Sequence, residues 1–315
     1  MGENINKIDY LNKLNVITEN NNEKEEDILK YCHQIWWQGE KSIPLKYKPF
    51  CEKWKKLHEG VIYEFWDENR IRILIENELN WFLNTWESIN EMIIKIDTSK
   101  IVILYLRGGW YCDMDMEPMK DVRHLLKGKK LVFSQTPVTE AILLRKISKR
   151  LVKYVAGVEY FSFMLINNAF MGGEKNHFIF MECLKNIKRN LESLDRRNYL
   201  YPSWVANIAG PELLCKTLYQ NSKKLKQLNI YLPEYFEPKK KLKISLSERR
   251  KKEDYYITKN TVVIHYYTFK WITDSDSYIT HAKLCMTLSW IPISALLILV
   301  IIITAIVYSF LKRLK

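Results

Sequence analysis

Short apolar runs bounded by polar residues recur along the chain and predict β-strands. The first covers residues 32–37, where aliphatic and aromatic residues run into a polar turn at Gln38-Gly39. Similar runs cover residues 61–66, 131–134 and 262–267. Their short length and their content of Val, Ile, Tyr, Phe and Trp favour buried strands.

Amphipathic stretches between these runs predict helices. Apolar residues recur at helical spacing across residues 71–91. Residues 98–107 begin with a polar cap and end at a pair of glycines, as a helix commonly does. Further helices are predicted over residues 176–194 and 211–221. Because the predicted strands alternate with helices, the fold class expected is α/β with a mainly parallel sheet.

The end of the chain has a different pattern. Residues 291–311 read IPISALLILVIIITAIVYSFL, without a charged side chain and without a polar face. A helix of this length crosses a hydrocarbon core about 30 Å thick. Trp290 and Tyr308 lie where interfacial aromatic residues belong, and Lys312, Arg313 and Lys315 follow. The pattern predicts a transmembrane helix over residues 290–311 with a short basic tail at 312–315.

The rest of the chain divides into two parts. Residues 1–30 are predicted to be a flexible polar segment, and residues 31–285 a single globular domain. The basic tail favours a cytosolic end, which would place the domain in the lumen of the ER or Golgi. Residues 1–22, however, contain no apolar stretch of the kind that directs translocation. Both orientations of a single-pass membrane protein therefore stay open.

Charge and cysteine content exclude several function classes. The 315 residues carry a net charge of +13, much of it within residues 239–252. A basic run of this kind could bind anionic lipid, but no zinc-finger spacing or RNA-binding signature accompanies it. We interpret it as a solvated loop and expect no nucleic-acid partner. The six cysteines form no Cys-x-x-Cys pair, which excludes a zinc ribbon or a dithiol redox motif.

The sharpest local feature is the run GGWYCDMD at residues 108–115. Asp113 and Asp115 are two positions apart at a predicted strand end, so their carboxylates project to the same side. Such a pair of hard oxygen ligands suits Mg²⁺ or Mn²⁺, and the metal can then neutralise a departing diphosphate. The Gly108-Gly109 pair permits close backbone approach at the kind of edge where α/β sheets place their sites.

The order of several motifs resembles a known family. His33-Gln34-Ile35-Trp36 is followed by Trp66-Asp67, and then by Asp97 and Lys100 leading into GGWYCDMD. Asn168-Ala169-Phe170-Met171, Gly210-Pro211, His265 and Trp271 come later in the same order. The pattern from about residue 31 to residue 271 is similar to glycosyltransferase family 32, which includes inositol-phosphoceramide mannosyltransferases and is distantly related to clostridial glucosylating toxins. The resemblance implies a GT-A type nucleotide-diphospho-sugar transferase fold, Mn²⁺ (or Mg²⁺) as cofactor, and retention of anomeric configuration.

The resemblance also implies roles for individual residues. The predicted nucleotide-sugar-binding residues are Trp36, Asp97, Lys100, Gly109, Asp113 and Trp271. The predicted metal ligands are Asp113, Asp115 and His265, and the predicted catalytic residues are Asp97, Lys100, Asp113 and Asp115. Asn168 and Gly210-Pro211 are expected to shape the acceptor side and a helix start, and His33 to be a buried partner.

Structural alternatives accompany these roles. Trp36 could be a core tryptophan, Asp97 a helix N-cap, and His265 a structural residue of a strand. Lys100 stands where the family usually has Arg, and one of the family's two adjacent histidines is missing beside His265.

Two functions are therefore predicted. The first is a membrane-anchored, metal-dependent transferase that moves a hexose, with mannose favoured, from GDP-mannose or a UDP-hexose to a lipid or glycan hydroxyl. A role in glycolipid biosynthesis follows if the acceptor is a lipid. The alternative is a catalytically degenerate glycosyltransferase fold that acts as a membrane-tethered binding module.

Overall fold

The computed structural model describes residues 27–136, 166–199, 201–238, 255–266 and 268. Within these ranges the strands are β1 (Tyr31–Ile35), β2 (Ile62–Trp66), β3 (Gly109–Cys112), β4 (Met116–Pro118), β5 (Leu131–Gln135), β6 (Ile166–Gly173), β7 (Asn229–Tyr231) and β8 (Val263–His265). The helices are α1 (Lys48–Leu57), α2 (Glu68–Glu78), α3 (Asn80–Glu87), α4 (Met92–Arg107), α5 (Arg123–Leu126), α6 (Phe178–Ser193), α7 (Tyr201–Ile208), α8 (Pro211–Gln220) and α9 (Pro233–Phe236). Residues 1–26 of the predicted N-terminal segment, the basic run at 239–252, Trp271 and the predicted membrane helix at 290–311 lie outside the described residues. The last residues of that segment are described: Asp27–Leu29 form a 3-10 helix, and Ile28 is buried in the core.

One sheet organises the domain, with strand order β2-β1-β3-β6-β5-β7. β1 pairs in parallel with both β2 and β3, and β5 pairs in parallel with β7. β6 runs antiparallel to β3 and to β5, so every strand but β6 points the same way. The prediction of an α/β fold with a mainly parallel sheet is confirmed. A second sheet pairs β4 with β8 in antiparallel register.

Alternate residues of the central strands face two separate cores, as the two-residue period of a strand requires. Tyr111 and Phe133 belong to the core that contains the buried residues of α2, α3, α4, α6 and α8. Trp110 and Val132 point the other way, into the core formed with Trp54 of α1, with α5 and α9, and with the β4–β8 pair. The sheet is thus covered on both faces, which is why successive residues of its central strands are buried.

The predicted helix over residues 71–91 is divided in the structure. The backbone of Leu79 leaves the helical region at φ −142° and ψ 40°, and α3 begins with the next residue. Leu79 is buried in the core. The apolar spacing continues across the break because both helices bury residues in the same core, and so the pattern alone does not reveal the change of direction.

The predicted helix over residues 98–107 begins earlier, at Met92, with Glu91 as its N-cap. The interpretation of Asp97 as an N-cap is therefore wrong, because Asp97 lies inside α4. Its polar neighbours suggested a helix start, yet Asp97 is only 5% exposed and Lys100 only 3%. These polar side chains are buried because they face a polar site rather than solvent.

β6 has no counterpart among the predicted strands. Its sequence INNAFMGG contains two asparagines and two glycines, residue types that are depleted in strands. All its residues are buried between β3 and β5, where their backbone groups are paired on both sides. Tertiary pairing therefore outweighs the weak local preference. Within the ranges that the structure covers, no helix is long and apolar enough to span a membrane.

Candidate active site

The carboxyl ends of β1, β3 and β5 meet at one edge of the sheet, where antiparallel β6 begins. Asp113 directly follows β3, and its backbone N–H donates to the carbonyl of Ala169 in β6. The side-chain amide of Gln34 donates to the Asp113 carbonyl at 3.3 Å. The Met116 N–H donates to the same carbonyl and closes a tight turn. These bonds fix the turn that carries both carboxylates of the DMD sequence.

Lys100 joins two of the predicted site residues. Its Nζ atom lies 2.9 Å from Oδ1 of Asp97 and 2.9 Å from Oδ1 of Asp113. Asp97 and Lys100 are one helical turn apart on α4, which places both side chains on the same face. The structure thus brings Asp97, Lys100 and Asp113 together, although Asp113 comes from a different element.

Burial and charge oppose each other in this group. Burial alone would lower the pKa of Lys100, but the Asp113 and Asp97 carboxylates outweigh it and raise that pKa above its ordinary value. Burial raises the pKa of Asp97, and the Lys100 ammonium offsets only part of this effect. Lys100 is therefore a fixed cation between two carboxylates, and removing its charge would leave them facing each other.

Tyr111 provides a second bond to the same oxygen of Asp113. Its hydroxyl donates to Oδ1 at 2.8 Å, and the Lys100 ammonium lies 5.0 Å from the centre of its ring. Burial, followed by the charge of Asp113, raises the pKa of Tyr111 well above its ordinary value, so the hydroxyl keeps its proton and donates. With Oδ1 engaged by two donors, Oδ2 is the oxygen that Asp113 presents to a ligand.

Asp115 is held from the other side by the β4–β8 pair. Met116 lies opposite His265 in that register, and the Tyr266 N–H donates to the Asp115 carbonyl at 3.0 Å. His265 Nε2 is therefore brought to 3.4 Å from Asp115 Oδ1. Oδ2 of Asp115 accepts from the backbone N–H of Thr268 at 2.8 Å and from its hydroxyl at 2.9 Å.

The charges of Asp115 and His265 stabilise each other. Burial alone would raise the pKa of Asp115, but His265 and the two Thr268 bonds outweigh it and hold that pKa below its usual range. Burial lowers the pKa of His265, and the Asp115 carboxylate more than offsets this and raises it. His265 would ligate a metal only as the neutral imidazole, because a metal competes with the proton for the ring nitrogen.

The predicted metal ligands meet in space. One ligand atom from each of Asp113, Asp115 and His265 lies within 4.8 Å of the others. Two carboxylate oxygens and an imidazole nitrogen suit Mn²⁺, and the oxygens also suit Mg²⁺. The donor set therefore fits the cofactor that the sequence predicts, and these side chains would hold it.

Gly109 lies at the amino end of β3, away from the carboxylates. Its φ is 88°, and a Cβ atom there would be 2.5 Å from the Tyr31 carbonyl oxygen. Its close approach is therefore to β1, and its predicted contact with the donor stays a prediction. Gly108, with φ 68°, ends α4 and accepts a 2.8 Å bond from His33.

His33 is the buried partner that the sequence predicts. Its Nε2 bonds the Gly108 carbonyl, and its Nδ1 accepts from the Trp66 indole at 3.2 Å. This pattern requires a neutral ring that carries its proton on Nε2. Burial lowers the pKa of His33 to about 4, so the ring stays neutral at physiological pH.

Trp36 directly follows β1 at the edge where Asp113 lies. Its indole N–H donates to Ser42 Oγ at 3.0 Å, and its ring centre lies 5.8 Å from that of Tyr47. The Tyr47 hydroxyl is 3.0 Å from Thr268 Oγ1 and so connects this aromatic pair to Asp115. Trp36 is half-buried, and its predicted stacking on a nucleotide base stays a prediction.

Two residues that touch the carboxylates were absent from the sequence-based site. Tyr111 had a local signal, because residues two apart along a strand project to the same side. Thr268 had no such signal, since it meets Asp115 only through the pairing of β4 with β8. Gly210-Pro211 forms the predicted helix start, with Gly210 as N-cap of α8.

The sequence comparisons agree with this geometry. Residues 44–132, which contain Asp97, Lys100 and both carboxylates of the DMD sequence, match the family described as a glycosyltransferase sugar-binding region containing a DXD motif. Over these residues the chain is similar to the DXD-motif glycosyltransferases. The resemblance to glycosyltransferase family 32 is confirmed by this match and by the relatives that follow.

Several characterised and uncharacterised proteins are similar over part of their length. An uncharacterised glycosyltransferase, L373, of Acanthamoeba polyphaga mimivirus is 36% identical over 95 residues, which are 30% of this chain and 38% of the relative. Inositol phosphoceramide mannosyltransferase 3 of Schizosaccharomyces pombe is 26% identical over 162 residues, or 51% of this chain and 38% of that protein. Mannosyl phosphorylinositol ceramide synthase SUR1 of Saccharomyces cerevisiae is 24% identical over 52% of this chain and 36% of its own length. The chain thus covers well under half of each relative.

Among solved structures, the PaToxG glycosyltransferase is similar with a TM-score of 0.43 and 17% identity, over 62% of this chain and 71% of that one. Mouse xyloside xylosyltransferase 1 is similar with a TM-score of 0.38 and 12% identity, over 75% of this chain and 96% of that one.

Proposed function

We propose that this protein is a metal-dependent glycosyltransferase of GT-A type that takes a hexose from a nucleotide-diphosphate sugar. The observation that carries the proposal is the convergence of Asp113, Asp115 and His265, whose ligand atoms lie within 4.8 Å of one another. This group stands at the carboxyl edge of a mainly parallel sheet, where open α/β sheets bind their ligands. Sequence similarity to DXD glycosyltransferases supports the same conclusion.

Each residue near this edge has a role that its contacts support. Asp113 and Asp115 would hold Mn²⁺ or Mg²⁺ with His265, and the bound metal would supply positive charge next to the diphosphate. Asp97 and Lys100 would orient the hydroxyls of the donor sugar, because Lys100 contacts Asp113 directly and links Asp97 to it. Trp36, and Trp271 from the undescribed part of the chain, would contact the nucleotide. The predicted retention of configuration is part of this proposal.

The donor and acceptor follow from relatives and from the sequence. Two of the similar yeast proteins are named as an inositol phosphoceramide mannosyltransferase and a mannosyl phosphorylinositol ceramide synthase. GDP-mannose is therefore the first donor to test, a UDP-hexose the second, and a lipid-borne hydroxyl the first acceptor, with a glycan next. The apolar stretch at residues 291–311 supports anchorage in a membrane, with the ER or Golgi as the compartment to examine.

Donor hydrolysis by the purified protein tests the proposal. Release of nucleoside diphosphate from a panel of donors, with Mn²⁺ and with EDTA, should identify one preferred donor and an absolute need for metal. Asp115→Asn should lower the rate at least about 100-fold, because one metal ligand loses its charge. Asp195→Asn, the same change at an exposed carboxylate beside Arg197, serves as the control and should retain full activity. Equal rates for wild type and Asp115→Asn across the panel would show the mechanism to be wrong.

A second function has one observation in its favour. The ammonium of Lys100 is paired with both Asp97 and Asp113, whereas the family's usual Arg offers five N–H donors in a planar fork. A site with fewer donors directed at the substrate could bind a donor without transferring its sugar. Metal-dependent binding of a nucleotide sugar by calorimetry, with no turnover of any donor in the panel, would select this binding-module function over the enzyme.

A further inference from the structure

The surface that leads from the candidate site onto α1 is strongly basic. Residues 40–57 contain six lysines and two glutamates. The lysines are Lys41, Lys46, Lys48, Lys53, Lys55 and Lys56. Lys48, Lys55 and Lys56 lie on one face of α1, since positions i, i+7 and i+8 of a helix coincide, and all three are exposed. The buried residues of α1 are Cys51 and Trp54.

An exposed apolar side chain stands within this basic segment. Leu45 is 80% exposed, more than any other large apolar residue in the described ranges. It lies between Lys41 on one side and Lys46 and Lys48 on the other, all of them exposed. One exposed leucine has no meaning by itself. An exposed leucine framed by lysines has the composition of a segment that inserts an apolar group beneath anionic headgroups.

This segment is attached directly to the candidate site. Ile43 and Tyr47 belong to the same buried cluster as Met114, the residue between the two carboxylates of the DMD sequence. The Tyr47 hydroxyl also contacts Thr268, which in turn bonds Asp115. A surface that binds residues 41–48 would therefore lie beside the opening to Asp113 and Asp115.

The α2–α3 region, on the other face of the sheet from α1, is acidic. Residues 61–91, which include α2 and α3, contain seven acidic residues and two arginines. The buried side chains of α2 and α3 belong to the core on the other side of the sheet from Trp54 of α1. An anionic surface would attract the α1 face and repel the α2–α3 face, which selects one orientation of the domain.

We propose that Leu45 and the lysines around it form a membrane-docking rim that binds the surface of an anionic lipid bilayer. The rim holds the carboxylate edge of the sheet against the headgroup layer. Its use in delivering a lipid-borne hydroxyl to Asp113 and Asp115 rests on the proposed function, whereas the docking itself does not.

Vesicle flotation of the full chain tests the rim. The measurement is the increase in bound protein when phosphatidylserine is added to phosphatidylcholine vesicles, so that any binding by the apolar C-terminal stretch is subtracted. The triple variant Lys41→Glu, Lys46→Glu, Lys48→Glu should weaken this increment at least tenfold, since each basic residue contributes about fivefold. Leu45→Ser, which leaves the charge unchanged, should weaken it several-fold.

A matched triple variant, Lys223→Glu, Lys224→Glu, Lys226→Glu, changes the net charge equally. These lysines follow α8, whose buried residues belong to the core on the other face of the sheet. This control variant should keep most of the additional binding that phosphatidylserine produces. Equal losses in the two triple variants, no loss in either, or equally tight binding of the rim to a soluble polyanion such as heparin would overturn the proposal. Donor hydrolysis without vesicles should be unchanged in the rim variants, so failure of docking and failure of the proposed activity are measured separately.

Discussion

The Nζ atom of Lys100 lies 2.9 Å from Oδ1 of Asp113, and the same ammonium is 2.9 Å from Oδ1 of Asp97. Two carboxylates from different elements thus share one buried cation. Lys100 thus links α4 to the turn that carries Asp113 and Asp115. The ion pair holds the Asp113 side chain in place before any ligand binds.

Lys100→Met should destabilise the metal-free protein. The change leaves Asp97 and Asp113 facing each other without a cation, and breaking a buried pair in this way costs about 3–5 kcal/mol. Urea unfolding at pH 7.5 in EDTA measures the loss. Lys100→Arg keeps the charge and is the control, with a loss of less than half that value. If Lys100→Met had the same free energy of unfolding as wild type, the ion pairs of Lys100 with Asp97 and Asp113 would not contribute to stability.

Tyr111→Phe should weaken metal binding without unfolding the protein. The lost hydroxyl bond leaves Asp113 Oδ1 with Lys100 alone, and losing an outer partner of a metal ligand lowers metal affinity about 10–100-fold. Titration with Mn²⁺, followed by calorimetry or electron paramagnetic resonance, measures the affinity directly. Tyr105→Phe removes the hydroxyl of a half-buried tyrosine of α4 and should leave the affinity unchanged. An unchanged Tyr111→Phe affinity contradicts the role given to this bond.

The stability of the protein should fall as the pH drops from 6.5 towards 4, partly because of His33. Burial lowers its pKa to about 4 in the folded state, whereas an unfolded histidine titrates near 6.5. The unfolded chain therefore binds the proton first, and neutral His33 contributes stability that is present above pH 6.5 and lost below it. Between pH 7.5 and pH 5 this loss amounts to about 2 kcal/mol.

His33→Phe separates this effect from simple bond loss. The variant should be less stable than wild type at pH 7.5 by about 1–3 kcal/mol, because the Gly108 carbonyl and the Trp66 indole lose their partner. Its free energy of unfolding should nevertheless fall about 2 kcal/mol less between pH 7.5 and pH 5 than that of wild type. His124→Gln, at an exposed histidine, is the control and should keep the wild-type pH dependence. If the free energy of unfolding fell equally between pH 7.5 and pH 5 in wild type and in His33→Phe, the lowered pKa of His33 would not be the cause of the pH dependence.

Gly109→Ala should be far more harmful than the same change at Gly128. Both glycines have positive φ, which costs an alanine about 1–2 kcal/mol. A Cβ atom at Gly109 would also lie 2.5 Å from the Tyr31 carbonyl oxygen, whereas at Gly128 it meets nothing within 4 Å. Thermal or urea unfolding should show an additional loss of about 1–3 kcal/mol for Gly109→Ala from overpacking. Similar losses of stability at both positions would show that β1 moves to accommodate the alanine Cβ atom.

The fold class and the two carboxylates could be predicted from local sequence. The aliphatic and aromatic residues of β1 and β5 mark them as buried strands. Asp113 and Asp115 were recognised as a pair from their spacing, although the expected strand geometry is wrong, because both lie in the turn between β3 and β4. The helix ending at Gly108 was also recognisable, because a glycine is the common way for a helix to stop. In each case the deciding interaction is made within a few residues of chain.

Other features depended on contacts between distant segments. β6 is a strand because β3 and β5 pair with it on both sides, despite a sequence with little strand preference. Asp97 belongs to a helix interior rather than a cap because its polar neighbours face the site and not water. Local preferences of a few tenths of a kcal/mol per residue cannot compete with ladder hydrogen bonds and buried ion pairs.

By itself, then, the sequence determined which residue types this protein could bring to a metal and a sugar donor: the carboxylates of the DMD turn, Asp97 with Lys100, and His265. Tertiary structure alone decided that Lys100 bridges two carboxylates and that Thr268 and Tyr111 hold the metal ligands from outside. The physical reason is the distance along the chain over which each interaction acts. Backbone period and helix pitch act over a few residues, whereas the partners of a buried charge are chosen by which elements the folded sheet brings within about 3 Å of it.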